Sequence, residues 1–205
     1  MADSAGGGPV DFDSMDDDEL EAFLEKRYND ALARLMANTP SCLDDFVATL
    51  THDLDAHRFD GHGEPLNKVY ALKCKCGGER LAVIGWHTTN PDFNNVKVFV
   101  SPLALRCATC GREAELFDTL RHGFDAEIDS HPTHIRARGD RGPFTCVCGG
   151  ADFKPYARFE FSSETLEDST GEWTGNEHNL FSWFSLVGDC AACGKRVDIA
   201  EFETA

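Results

Sequence analysis

Eight of the nine cysteines in this 205-residue chain fall into four close pairs: Cys74-Lys-Cys76, Cys107-Ala-Thr-Cys110, Cys146-Val-Cys148 and Cys190-Ala-Ala-Cys193. Thiolates two or three residues apart converge on one metal ion only if the backbone turns back on itself. Glycine permits that turn because it adopts positive φ without steric cost. Every pair is followed by glycine, as Gly77-Gly78, Gly111, Gly149-Gly150 and Gly194. A disulfide framework requires an oxidising compartment. The opening stretch MADSAGGGPVDFDSMDDDEL has neither a basic residue nor an apolar run. No secretory leader is therefore expected, and metal binding is the favoured reading of the pairs.

The order of the pairs matters as much as their spacing. Cys74 and Cys76 recur 72 positions later as Cys146 and Cys148, and Cys107 and Cys110 recur 83 positions later as Cys190 and Cys193. Past the second pair, Ala114, Glu115 and Leu116 match Val197, Asp198 and Ile199; before it, Val98 and Val100 match Phe181 and Trp183. Alternation of this kind marks strands with one buried face. The pattern predicts an internal duplication of a small β module carrying a four-cysteine site. The favoured grouping puts Cys74, Cys76, Cys107 and Cys110 at one site and Cys146, Cys148, Cys190 and Cys193 at the other. Interleaved pairing between copies is the alternative, and it needs the two modules to intertwine, which short connections disfavour. A redox C-x-x-C opens a helix after a strand, whereas both pairs here lead into glycine and alternating strand residues.

On these pairs and their glycines, each copy resembles a zinc ribbon, in which two knuckles clamp one ion at the heads of β-hairpins. The likeness covers residues 67–118 and 144–203, with C-x-C in the first knuckle where C-x-x-C is commoner. The resemblance implies two structural Zn²⁺ ions, each worth on the order of 10 kcal/mol to folding. Eight thiolates for two sites leave no open coordination position for catalysis. The bases Lys73, Lys75, Arg80, Arg106, Arg112, Lys195 and Arg196 flank the knuckles and are read as partners of the thiolate charge.

The N-terminal third differs in kind. Residues 1–15 are rich in Gly and Asp and read as a disordered acidic tail. From Asp16, the residues Leu20, Phe23, Leu24, Tyr28, Ala31, Leu32, Leu35 and Met36 recur at helical spacing, and Asp16 with Glu19 forms a capping-box pattern. Helix breaks at Asn38-Thr39-Pro40. A second helix is expected from Ser41, with Leu43, Phe46, Val47, Leu50 and Leu54 on its apolar face and an end near Gly61; Cys42 falls in its core. The fold class is thus α+β: a helical pair over 16–65, a ribbon-like module over 66–118, a connector over 119–143 and a second module over 144–205.

Charge bounds the function. Asp and Glu number 36 against 19 Lys and Arg, a formal net charge of −17. Sequence-independent contact with phosphates needs Lys and Arg, so a nucleic-acid partner is disfavoured. No run of 18 apolar residues exists, and a cytoplasmic protein off the membrane is expected. From Phe159 to Gly194 there are seven acids and no Lys or Arg, around a long insert centred on Trp173. An aromatic anchor flanked by carboxylates suits a basic protein partner, and Trp173, Glu164, Glu167, Asp168, Glu172 and Glu177 are its candidate residues. Nucleophile elbow, zincin, P-loop and dinucleotide motifs are absent from the sequence. His131 and His134 flank Pro132 in the connector and read as exposed. The expectation is a non-enzymatic inhibitor of immunity or antitoxin type. The alternative is a transcription or translation adaptor touching nucleic acid through Arg136, Arg138 and Arg141.

Overall fold

The computed structural model describes residues 15–51, 66–90, 96–124, 126–127, 139–162 and 173–204. A helix, α1 (Asp17–Ala37), is followed by strands β1 (Phe46–Thr51), β2 (Leu66–Cys74), β3 (Leu81–Asn90), β4 (Val96–Cys107), β5 (Glu113–Phe117), β6 (Asp140–Pro143), β7 (Asp152–Phe161), β8 (Trp183–Cys190) and β9 (Arg196–Glu203). The capping box starts α1 as expected: Glu19 N–H donates to Asp16 Oδ1 at 2.9 Å, and Asp16 N–H to Glu19 Oε2 at 3.4 Å. Three acids in its first turn complement the helix dipole.

Over residues 41–51 the second helix is not formed; Leu54 and Gly61, the rest of that expectation, lie outside the described residues. Only a single 3₁₀ turn, Ser41–Leu43, follows Pro40, and Phe46–Thr51 is a strand paired antiparallel to β2 from Phe46↔Cys74 to Thr51↔Val69. Leu43 and Phe46 are buried, but Val47 and Leu50, assigned to the same helical face, are exposed. The residues F-V-A-T-L-T include β-branched Val47, Thr49 and Thr51, which favour a pleated strand once a partner edge is present. The edge of β2 supplies that partner, and tertiary pairing outweighs the weak local helical pattern.

All nine strands belong to one antiparallel sheet. The duplication is written into its ladders. In the first copy β4 pairs β5 as Arg106↔Glu113, Leu105↔Ala114 and Ala104↔Glu115, then slips at a bulge to Leu103↔Phe117. In the second, β8 pairs β9 as Asp189↔Arg196, Gly188↔Val197 and Val187↔Asp198, then slips to Leu186↔Ala200. Each pair is the other shifted by 83 positions, bulge included.

The two copies are not tandem modules, however. β2 of the first copy pairs with β7 of the second, as in Tyr70↔Ala157 and Ala71↔Tyr156. β6 of the second pairs with β3 of the first, as in Gly142↔Gly85 and Pro143↔Ile84. These ladders are again equivalent, now by the 72-position shift. The first strand of each copy has been exchanged into the sheet of the other. The connector therefore ends earlier than the sequence implies, since its last residues, Asp140–Pro143, form β6.

One core serves both copies. It contains Leu81, Leu103, Leu105 and Phe117 from the first and Phe153, Phe159, Phe184 and Phe202 from the second. Phe117 of β5 stacks on Phe184 of β8 with ring centroids 4.2 Å apart and planes within 4°. The sheet curls so that strands far apart along its order face each other across this aromatic layer. Among the described residues, no helix is long and apolar enough to cross a membrane.

Candidate metal centres

Each knuckle is built by local hydrogen bonds that recur in both copies. Cys74 N–H donates to Gly78 O at 2.9 Å and Gly77 N–H to Cys74 O at 2.8 Å; Cys146 N–H and Gly149 N–H repeat the pattern at 2.8 Å each. Gly77 and Gly149 hold φ of 85° and 87°, a region costly for residues with a Cβ. The second glycine has a different task. A Cβ on Gly78 would lie 2.7 Å from Cys107 Sγ, and one on Gly150 would lie 3.0 Å from Cys190 Sγ. Its bare Cα lets the opposing sulfur approach. In the other knuckles, Cys107 N–H bonds Arg112 O and Cys190 N–H bonds Lys195 O, both at 2.9 Å.

The sulfurs converge as the cysteine order predicts. Cys74 Sγ lies 3.7 Å from Cys110 Sγ and Cys76 Sγ lies 3.6 Å from Cys107 Sγ. Cys146 Sγ to Cys193 Sγ is 3.8 Å, and Cys148 Sγ to Cys190 Sγ is 3.6 Å. Within each group of four, all ligand atoms fall within 4.8 Å of one another. A tetrahedral ion with Zn–S bonds of about 2.3 Å requires sulfurs about 3.8 Å apart. The two groups fit, and each can hold one metal ion. Cys74, Cys107, Cys146 and Cys190 are buried, whereas Cys76, Cys110, Cys148 and Cys193 are exposed. Each site thus has two sulfurs anchored in the core and two at the surface.

The inner sulfurs lie among hydrogen-bond donors. Burial opposes ionisation of Cys107, but the backbone N–H groups of Cys110 and Thr109 and the thiols of Cys76 and Cys110 prevail, lowering its pKa to about 6. At Cys190, the N–H groups of Cys193 and Ala192 dominate over burial and, with the Cys148 and Cys193 thiols, lower the pKa to about 7. In each cluster the donors around one inner sulfur favour the thiolate, the form a metal requires, while in the first, over the opposing Gly78 N–H, the neighbouring thiols push Cys76 the other way.

Three of the flanking bases, expected to answer the thiolate charge, pair with carboxylates. Lys73 pairs with Glu79 at 2.6 Å, Arg112 with Asp45, and Arg196 with Asp189 through bonds of 2.8 and 3.0 Å. Cys42 is buried beside the 3₁₀ turn, outside both clusters.

The proposed partner-binding set is less coherent. Trp173 is half-buried, with its carbonyl accepting from Asn176 N–H at 2.9 Å. Glu164, Glu167, Asp168 and Glu172 lie outside the described residues, as do His131, His134, Arg136 and Arg138. Glu177 is fully buried and unavailable as a surface contact. Its carboxylate accepts from Arg34 Nε at 2.7 Å and from Gly175 N–H at 3.0 Å, and so docks α1 on the 3₁₀ turn Glu177–Asn179. Ser41 N–H adds a bond to Asn179 Oδ1 at 2.8 Å. Glu177 sits in an acidic sequence block, and nothing local signals that Arg34, far along the chain, will cover it.

The polar anchor that sequence reasoning missed is Lys68. It is 1% exposed, and its Nζ donates to Leu35 O at 2.7 Å and Asn38 O at 2.5 Å, closing carbonyls left open at the end of α1. A lysine in an alternating strand ordinarily faces water. Only the arrival of α1 over β2 gives Lys68 its acceptors.

Comparison with protein-family models, curated proteins and solved structures finds no match to this chain. The metal centres carry the functional argument.

Proposed function

We propose that this chain is a structural two-zinc protein that acts by binding a basic macromolecular partner, most naturally a protein, and does no chemistry of its own. The sulfur spacing of the two clusters carries the zinc half of this reading. Four thiolates on one Zn²⁺ fill every position and leave none for water or substrate. Charge supports the other half. A net charge of −17 becomes more negative as each tetrathiolate zinc, itself −2, is assembled. A field of that sign raises the association rate of cationic partners by about 10- to 1,000-fold at low salt.

Trp173 remains the candidate anchor, with Glu164, Glu167, Asp168 and Glu172 steering; Glu177 is excluded by its burial. Blocking a cationic toxin, as an immunity or antitoxin protein does, is one form this binding takes. The nucleic-acid adaptor reading loses support at Arg141, whose guanidinium is engaged with Glu113 at 2.5 Å.

The test is capture of partners from native extract by the metal-loaded full chain, followed by binding kinetics of the captured protein at low and physiological salt. A basic protein whose association slows with salt, and whose dissociation quickens in Trp173→Ala, supports the reading. Micromolar or tighter binding of duplex or single-stranded nucleic acid at physiological salt overturns it.

A further inference from the structure

We propose that the two metal sites load as a single cooperative unit, so that a chain holding one ion is a minor species. The inference rests on the metal reading above and on the strand exchange. Among the described residues, β2 pairs only with β1 and β7, and β6 pairs only with β3. The strand that enters each first knuckle therefore has no ladder within its own copy. Cys74 is the last residue of β2, and β6 ends three residues before Cys146. Residues 66–71 of the strand leading to Cys74 and Cys76 lie on β7 of the second copy, while Cys74 itself pairs with Phe46 of β1; the strand leading to Cys146 and Cys148 lies on β3 of the first copy.

The strands leaving the two first knuckles also meet. Leu81 of β3 pairs directly with Phe153 of β7, and Ala82 with Asp152. Within each copy the second knuckle is tied to that same strand entry: Ala108 N–H bonds Arg80 O at 3.0 Å, and Ala191 N–H bonds Asp152 O at 2.9 Å. All eight ligands are thus hung from one junction, and Cys74, Cys107, Cys146 and Cys190 share one core cluster with Leu81 and Phe153.

Binding free energy at a structural metal site is folding free energy of the backbone that frames it. Here one frame is half composed of the other copy. An ion bound at one site prepays the ordering of strands the second site needs, and linkage makes the effect reciprocal.

The experiment is native mass spectrometry of the reduced, metal-free full chain after addition of one equivalent of Zn²⁺. Independent equal sites would put about half of the chains in the one-metal form. Coupled loading leaves metal-free and two-metal chains dominant, with the one-metal form below about a tenth. A second measurement removes one site through its exposed ligands, as Cys76→Ser with Cys110→Ser, and titrates the other with Co²⁺ by thiolate charge-transfer absorption. The surviving site should weaken by roughly 100-fold or more, and Cys148→Ser with Cys193→Ser should do the same in reverse. A one-metal plateau in the wild type, or a surviving site of unchanged affinity, overturns the coupling while leaving the sites standing. A chain that binds no Zn²⁺ overturns both the coupling and the metal reading.

Discussion

Leu81 lies opposite Phe153 where β3 meets β7, and each is the residue its own copy places seven positions after its first cysteine. The pair marks a pseudo-two-fold axis. Both side chains are essentially inaccessible, and the ladders on either side of them, β2–β7 and β3–β6, are images of one another.

The junction should be sensitive to truncation. Leu81→Ala removes buried methyl groups at a point where both copies lean on them, and is expected to cost about 3 kcal/mol. Phe153→Ala should cost at least as much. Denaturant titration of the zinc-saturated variants checks this, and the loss should appear as one transition, not as the melting of one half.

Metal content offers the most direct check on the clusters. Protein purified without chelator should carry two zinc ions per chain by elemental analysis. Cys42→Ser should leave that number unchanged, since Cys42 belongs to neither group of converging sulfurs and burial raises its thiol far above its ordinary pKa. Chelation should abolish tertiary structure in the sheet, as read by near-ultraviolet circular dichroism.

Lys68→Met should destabilise the protein by roughly 2 kcal/mol, because the carbonyls of Leu35 and Asn38 lose their shortest hydrogen bonds and keep only the longer ones from Asn38 N–H and Tyr70 OH. The pH dependence has a definite sign. Burial lowers the Lys68 pKa from 10.5 to about 8. Between those values the unfolded chain holds a proton that the folded chain has released, so this contribution to stability rises with pH across the window. Unfolding curves of wild type and Lys68→Met should diverge there, with only the wild type gaining.

Acid should act through His122. Burial, helped by the charge of Arg121 and opposed by Asp118, lowers its pKa to about 4. Its Nδ1 accepts the Asp118 N–H at 2.9 Å, which a doubly protonated ring cannot do. The unfolded histidine takes up its proton near 6.5, so the contribution is complete above that pH and is lost as pH falls toward 4. Allowing for partial exposure, the loss is on the order of 1–2 kcal/mol. His122→Gln should show a correspondingly shallower fall, measured as the difference from wild type so that metal release cancels.

Much of this protein is legible in its residues because the relevant physics is local. The ligand sets follow from close cysteine pairs with glycine behind them, and Gly77, Gly111, Gly149 and Gly194 all adopt the positive φ that a knuckle requires. Helix α1 begins at the residue its capping box names. The alternation at Ala114–Leu116 and Val197–Ile199 becomes β5 and β9, with Leu116 and Ile199 turned into the core. What only the tertiary structure decided are relations between distant segments. Phe46–Thr51 carries an ambiguous apolar pattern and becomes a strand because β2 offers an edge. Glu177 and Lys68 are charged residues that lie buried because Arg34 and the end of α1 come to meet them. A repeated sequence specifies the same ladder twice, but whether β2 and β6 pair at home or in the opposite copy depends on which arrangement closes the common core around Leu81 and Phe153, and no residue in either strand encodes that choice alone.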